Sequence, residues 1–278
     1  MTLIVDGKKL AEEILENLKE QRKAYDKIVV AAFLIGRDKE KESFLKIKKN
    51  FAEKLNIDFR IYEIENYETF SRKKLRKYIS QIVKKRVING ALIQLPLPSK
   101  FKTQYFLNAI PSKKDIDCLS SKMLGKFFTD SEVISPPAVE TVKFLKEKYN
   151  LKFESKIALV VGYGKLIGKP LSHYLAREGA TVIISQSKTN NLEKFLKEAD
   201  IVISGVGKAN LIQSCKEGAV LIDFGYSFEN NKICGDLDFE KLKNKAALIT
   251  PTPGGTGPIL VAKLFENLFK LLKYKLPL

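Results

Sequence analysis

Three glycines, Gly162, Gly164 and Gly168, lie in the stretch VVGYGKLIGKP, between an apolar, β-branched run and an amphipathic one. A strand, a glycine turn and a helix in that order can seat a pyrophosphate. Gly162 and Gly164 would let the backbone approach the anion, and Gly168 would let the helix pack close to the strand. The helix start would present free N–H groups and its positive dipole end. The spacing, GxGxxxG, is one residue longer than the common dinucleotide fingerprint, and a plain strand-to-helix turn is the alternative reading. The next apolar run, TVIIS, leads into Gln186, Ser187 and Lys188. An NAD-specific site usually carries Asp or Glu there to hold the ribose. With no carboxylate to repel a 2′-phosphate, NADP is admitted as cofactor, and NAD remains possible.

Other chemistry is sparse. Cys118, Cys215 and Cys234 are odd in number, far apart and without metal spacing. They predict no metal site and a reducing, cytoplasmic setting. The one histidine, His173, falls inside the helix after the glycine turn, a poor place for catalysis. The net charge of +17 raises the question of nucleic acid. The lysines, however, are spread along the chain and alternate with glutamates, as in AEEILENLKEQRK. Such mixtures usually solvate helices, so no nucleic-acid partner is expected, although a positive field suits anionic small molecules. No apolar run reaches the length of a membrane span, and the N-terminal residues go directly into a polar helical pattern without a secretory signal.

The elements that must position these residues follow from hydrophobic periodicity. Amphipathic helices are expected over 8–25, 42–55 and 72–86, alternating with strands IVVAAFLI, FRIYEI and GALIQLPLP. An irregular segment, NAIPSKKDIDCLSSKMLG, follows, and Pro136 and Pro137 open a further helix. Strand–helix alternation then restarts: KIALVVG, helix 165–178, ATVIIS, helix 190–198, DIVISGV, AVLIDFG and ALITPTPGGTGP, ending in the apolar helix ILVAKLFENLFKLLKYK. Alternation of this kind implies an α/β fold with parallel sheets covered by helices. The restart near residue 137 marks a domain boundary. The expected division is 1–137 with 258–278, and 138–257.

Seven stretches together resemble the bifunctional methylenetetrahydrofolate dehydrogenase/cyclohydrolase family: DGKKLAEEI, ALIQLPLP, KKDID, VVGYGKLIGKPLSHYLAREGATVIISQSKT, ADIVISGVGKANLI, GAVLIDFGYSFENNKICGDLDFE and TPTPGGTGPI. The resemblance covers essentially the whole chain. It implies a folate-binding N-terminal domain, a Rossmann-type second domain, a cleft between them, a last helix returning to the first domain, and a homodimer. The implied reaction is oxidation of 5,10-methylenetetrahydrofolate to the methenyl cation with NADP, then hydrolysis to 10-formyltetrahydrofolate, within one-carbon metabolism.

The resemblance also assigns residues. The family's Tyr-x-x-x-Lys aligns with FLKIK, placing Phe44 at the tyrosine and Lys48 at the lysine. It makes Lys48 the acid/base, Gln94 the residue that orients it, and Asp117 the anchor of the pterin. Phe44 would stack on the folate rings, and Pro253, Gly254, Gly255 and Gly257 would form a close backbone wall. Gly162, Tyr163, Gly164 and Gly168 would hold the nucleotide, with Ser187, Thr189 and Tyr226 along the rim. Departures cluster at the site. Phe44 lacks the tyrosine hydroxyl, Cys118 replaces a glycine, and Met123 replaces an asparagine. PPAV replaces Pro-Cys-Thr-Pro, Tyr163 and Gly164 replace an Arg-Ser pair, and Gln186 stands where histidine is common. They motivate an alternative, a diverged paralogue that binds folate without turning it over.

Overall fold

The apolar run VVAAFLI forms a strand in which every residue is buried, as a parallel strand covered on both faces must be. The computed structural model describes residues 2–229 and 232–275. In chain order the elements are β1 (Leu3–Ile4), α1 (Gly7–Arg22), β2 (Val29–Ile35), α2 (Lys39–Lys54), β3 (Asp58–Ile64), α3 (Arg72–Lys84) and β4 (Gly90–Ile93). Next come α4 (Thr103–Leu107), α5 (Ser121–Phe128), α6 (Pro137–Lys148), β5 (Ile157–Val161), α7 (Gly168–Arg177), β6 (Thr181–Ser185) and α8 (Leu192–Glu198). The chain finishes with β7 (Ile201–Ser204), β8 (Val220–Asp223), β9 (Ser227–Glu229), β10 (Lys232–Cys234), α9 (Phe239–Leu242), β11 (Leu248–Ile249) and α10 (Thr256–Lys275).

Two compact units result. One comprises 13–137 and the chain from 261 onward; the other comprises the chain up to 12 and 138–260. In the first, β2 is the centre of a parallel sheet of order β3-β2-β4. The helical stripe Leu75, Ile79, Ile82 and Val83 of α3 packs with the β2 residues Val29, Ala31, Phe33 and Ile35. From α10, Phe265 stacks on Phe51 at 5.4 Å and tilts against Phe59. Side-chain caps start α2 (Asp38), α3 (Ser71) and α5 (Ser120) of this unit.

The second unit holds a parallel six-stranded sheet of order β1-β11-β8-β7-β5-β6. Its core joins Leu159 and Val161 of β5 to Val202, Leu221 and Leu237. The α/β reading with parallel sheets therefore holds in both units. The extreme N-terminus departs from the expected division. Leu3 and Ile4 pair with Leu248 and Ile249, so the chain up to 12 belongs with the nucleotide-type sheet rather than with residues up to 137. Two residues of edge strand are too short to show a period, which is why β1 is invisible to pattern. The segment expected to be irregular ends inside a helix, α5, begun by the Ser120 cap. The helix expected from 165 begins at Gly168, and the last helix begins at Thr256.

Candidate active site

Lys48 lies on a buried stripe of α2 formed by Lys41, Leu45, Lys48 and Ala52 and continued by Leu55 just after the helix, whereas its neighbours Lys46 and Lys49 are exposed. The period of that stripe is helical, so the fold drives this ammonium inward along with the leucines. Its Nζ donates to Gln94 Oε1 at 2.9 Å. Burial lowers the Lys48 pKa, while the charge of Asp117 pulls it upward. Phe44, half-buried, sits one turn earlier on the same helix.

Gln94 is delivered by the end of β4. Its backbone N–H donates to the Phe33 carbonyl at 2.9 Å, continuing the pairing with β2. Its side-chain Nε2 donates to the Leu95 carbonyl at 3.0 Å, which turns Oε1 toward the amine. The Leu95–Pro96 peptide is cis.

Asp117 is half-buried, and burial raises its pKa against the opposing effect of Lys48. The residues on either side of it are fixed. Asp115 is buried and accepts from the Ser120 N–H at 2.7 Å. Asn267 of α10 donates through Nδ2 to the carbonyls of Ile116 at 3.2 Å and Ser135 at 2.8 Å. Burial pushes the Asp115 carboxyl to about 6. Sequence reading missed both Asp115 and Asn267. The signal for Asp115 was a second acid two residues before Asp117; Asn267, in an otherwise apolar helical stripe, was the other.

In the second unit, β5 is followed directly by Gly162, whose φ of +92° suits glycine and whose N–H donates to the Ser185 carbonyl at 2.8 Å. A Cβ on Gly168 would overlap the Gly162 carbonyl, so the start of α7 touches the end of β5 directly. No side chain caps α7, but the Lys169 N–H already donates to the Gly164 carbonyl and the Leu171 N–H to the Ile167 carbonyl, both at 3.0 Å, and Pro170 has no N–H, so the helix start can offer an anion its positive dipole end and the Gly168 N–H. Gly164 has open space around it. Tyr163 is exposed, with the Lys169 ammonium 5.3 Å from its ring centre. The Lys165 pKa is lowered by partial burial and by the charge of Lys169. Past β6, Gln186, Ser187 and Lys188 are exposed, and Thr189 Oγ1 accepts from the Gln186 N–H at 2.9 Å. Tyr226 is half-buried, with its ring edge-on to Phe228.

A carboxylate network, also missed from sequence, braces this end of the sheet. Asp236 is fully buried and accepts from the N–H groups of Val206, Gly207 and Lys208 at 2.7–2.9 Å. Asp223 accepts from the N–H groups of Gly225 at 2.7 Å and Leu237 at 3.1 Å. Burial and the neighbouring Asp236 raise the Asp223 carboxyl to about 7. The expected wall residues belong to this unit as well. Thr252–Pro253 is a cis peptide, Gly254 has φ +104°, and the Gly254 carbonyl accepts from the Gly7 N–H at 2.9 Å. Gly255 donates to the Pro251 carbonyl, and Gly257 lies in the first turn of α10. The sequence-assigned folate residues are therefore split: Phe44, Lys48, Gln94 and Asp117 on one unit, Pro253 to Gly257 on the other.

Comparison with known proteins gives these two groups a common context. The family model described as tetrahydrofolate dehydrogenase/cyclohydrolase, catalytic domain, matches residues 5–117. That for the NAD(P)-binding domain of the same enzymes matches residues 136–276. The bifunctional protein FolD of Clostridium perfringens is 35% identical over 98% of this chain and 100% of its own length. The chain belongs to the tetrahydrofolate dehydrogenase/cyclohydrolase family. Among solved structures, the bifunctional FolD enzyme of Campylobacter jejuni matches with a TM-score of 0.92 at 31% identity, over 99% of this chain and 100% of that one. The FolD of Trypanosoma brucei, solved with NADP cofactor and an inhibitor, matches with a TM-score of 0.91 at 25% identity, over 98% of both chains.

Family membership makes sense of one departure. Cys118 is buried at φ +57°, a left-handed conformation that glycine adopts without strain. The fold therefore asks for the family's glycine, and this chain places a cysteine there, its Sγ near the Ile134 carbonyl. Met123 fills a buried position on α5. Among the described residues there is no cluster of potential metal ligands, no disulfide, and no helix long and apolar enough to cross a membrane.

Proposed function

We propose that this chain oxidises 5,10-methylenetetrahydrofolate to 5,10-methenyltetrahydrofolate with NADP and hydrolyses the product to 10-formyltetrahydrofolate. The observation that carries this reading is the buried Lys48 amine, 2.9 Å from Gln94 and coupled to Asp117, in a chain that matches the family from end to end. Nothing in the comparisons supports the alternative of a folate-binding paralogue without activity.

Asp117 anchors the pterin by accepting from its amino and ring N–H groups, a charge-assisted pairing. Phe44 supplies the aromatic face against the folate rings. Burial already favours the neutral form of Lys48, and a cationic methenyl substrate beside it lowers its pKa further. The neutral amine takes a proton from water as the oxygen bonds to the methenyl carbon. Returning that proton to the ring nitrogen as the carbon–nitrogen bond breaks, while the new hydroxyl loses its own proton to solvent and becomes the carbonyl, leaves the formyl group on the other nitrogen. Gln94 holds the amine in place for both transfers.

A bound NADP would supply the hydride acceptor. The chain's contribution is to bind it: the glycine turn from Gly162 to Gly168, open around Gly164 and backed by the positive end of α7, forms a cradle that suits a pyrophosphate. Lys165, Lys169 and Lys188 supply positive charge near the glycine turn and the end of β6, with no acidic residue in 162–169 or 185–189. These features favour NADP. A homodimer in the cytoplasm completes the proposal, and sedimentation at micromolar concentration tests the dimer.

The decisive experiment follows methenyl absorbance with Lys48→Arg. Arginine keeps the charge but cannot deprotonate. Hydrolysis is expected to fall by about a hundredfold or more while the nucleotide still binds. Unchanged hydrolysis in this variant would remove Lys48 from the mechanism.

A further inference from the structure

The even mixture of charges seen along α1 does not persist through the catalytic unit. Between Thr69 and Lys114 there are twelve lysines and arginines and not one aspartate or glutamate. That segment accounts for most of the net +17. It contains α3, α4 and the loops beside them.

The structure gathers part of this charge into an open groove along α3, lined by Lys73, Arg76, Lys77 and Lys84 with Tyr105 opposite. Lys73, Lys77 and Lys84 have no ion pair or side-chain hydrogen bond among the described residues. They are spaced i, i+4 and i+11, which at 1.5 Å per residue spreads their backbone positions over about 16 Å. Tyr105 is 38% exposed. The Arg76 guanidinium lies 4.9 Å from its ring centre, and Arg76 Nε donates to the Tyr105 carbonyl at 3.0 Å. A flat cation–aromatic pair is thus pinned at one side of a row of uncompensated ammonium groups.

The groove is distinct from the folate residues. The connections through α2 and α3 leave toward opposite sides of β2, so right-handed crossovers put the two helices on opposite faces of the sheet. Lys48 comes from α2, and the groove from α3.

We propose that this surface binds single-stranded nucleic acid. A positively charged groove that tracks a phosphate backbone, next to an exposed ring on which an unpaired base can stack, is the physical requirement for such binding. Concavity and the single pinned aromatic fit a strand with free bases better than a duplex or a flat lipid surface.

Anisotropy of a fluorescein-labelled single-stranded RNA of about 20 nucleotides, titrated with the full chain, tests the proposal. Four backbone contacts predict binding that weakens about 50-fold between about 50 and 200 mM salt. Lys73→Glu/Lys77→Glu/Lys84→Glu should weaken it by about 20-fold or more, and Tyr105→Ala by about 5-fold or more. Melting temperature and dehydrogenase turnover should stay at the parent values. Should the triple variant fold poorly, Lys77→Glu alone, at an exposed position, should still weaken binding measurably. The proposal is overturned by absence of saturable binding at about 50 mM salt. It is equally overturned if Lys156→Glu/Lys194→Glu/Lys197→Glu, in the other unit, causes the same loss. Duplex RNA or phosphatidylglycerol vesicles bound as tightly, with no effect of Tyr105→Ala, would assign the groove to polyanions or membranes instead.

Discussion

At the scale of single residues, the site depends on side chains whose burial alters their proton chemistry. Phe44 retains a ring one turn from Lys48 but, in the proposed mechanism, brings no hydroxyl to the water that the amine would activate. Phe44→Tyr should raise hydrolysis several-fold and leave hydride transfer nearly constant, since the latter depends mainly on positioning. Equal responses of the two rates, measured separately, would show that the hydroxyl was never limiting. Asp223 gives a second expectation. Its folded-state pKa of about 7 lies above the ordinary 3.8, so the folded protein holds this proton more tightly than the unfolded chain. Its contribution to stability is greatest below the unfolded pKa and is lost as pH rises through about 7. Between about pH 5.5 and 8 this costs about 2 kcal/mol. Melting curves across that window should slope downward for the parent and more gently for Asp223→Asn, even if the variant is less stable throughout. Parallel slopes would show that Asp223 does not titrate there.

At the scale of elements, the decisive contacts are made by backbone. The start of α7 rests on the end of β5 because Gly168 has no side chain to strike the Gly162 carbonyl. Gly168→Ala forces that junction apart. It should destabilise the protein by about 1–3 kcal/mol and greatly reduce the nucleotide-induced rise in melting temperature. An alanine variant that melts and binds like the parent would mean that the junction is more compliant than its packing indicates. The α2 stripe shows the converse case. A lysine placed where a leucine belongs in the helical period is carried into the interior, and its cost is offset by the Gln94 amide and the Asp117 charge.

At the scale of the whole molecule, the nucleotide should act as a folding ligand. A ligand at a hundred times its dissociation constant adds about 2.7 kcal/mol to stability. Equal concentrations of NADP and NAD compared by thermal shift should favour NADP, because Lys165, Lys169 and Lys188 leave the region without a countering acid. Equal shifts would show that the 2′-phosphate is not read. The chain also connects its two units more than once. Residue membership changes near 12, 137 and 260, so α1 and α10 each contribute to both units. The boundary near 137 coincides with a restart of strand–helix alternation. Those inside α1 and α10 have no such mark, because an amphipathic period continues unchanged when a helix passes from one core to another.

By itself the sequence determined the α/β class, the glycine turn and the family to which the chain belongs. Those properties reside in local periodicity and in contiguous motifs, which are written in consecutive residues. Only the tertiary structure decided that Lys48 is buried while Lys46 and Lys49 are not, that Asp115 and Asn267 fix the loop bearing Asp117, and that Asp223 and Asp236 share an interior. Each of these depends on residues far apart in the chain. Desolvation and hydrogen-bond partnership are set by what the fold brings close, and no local pattern records them.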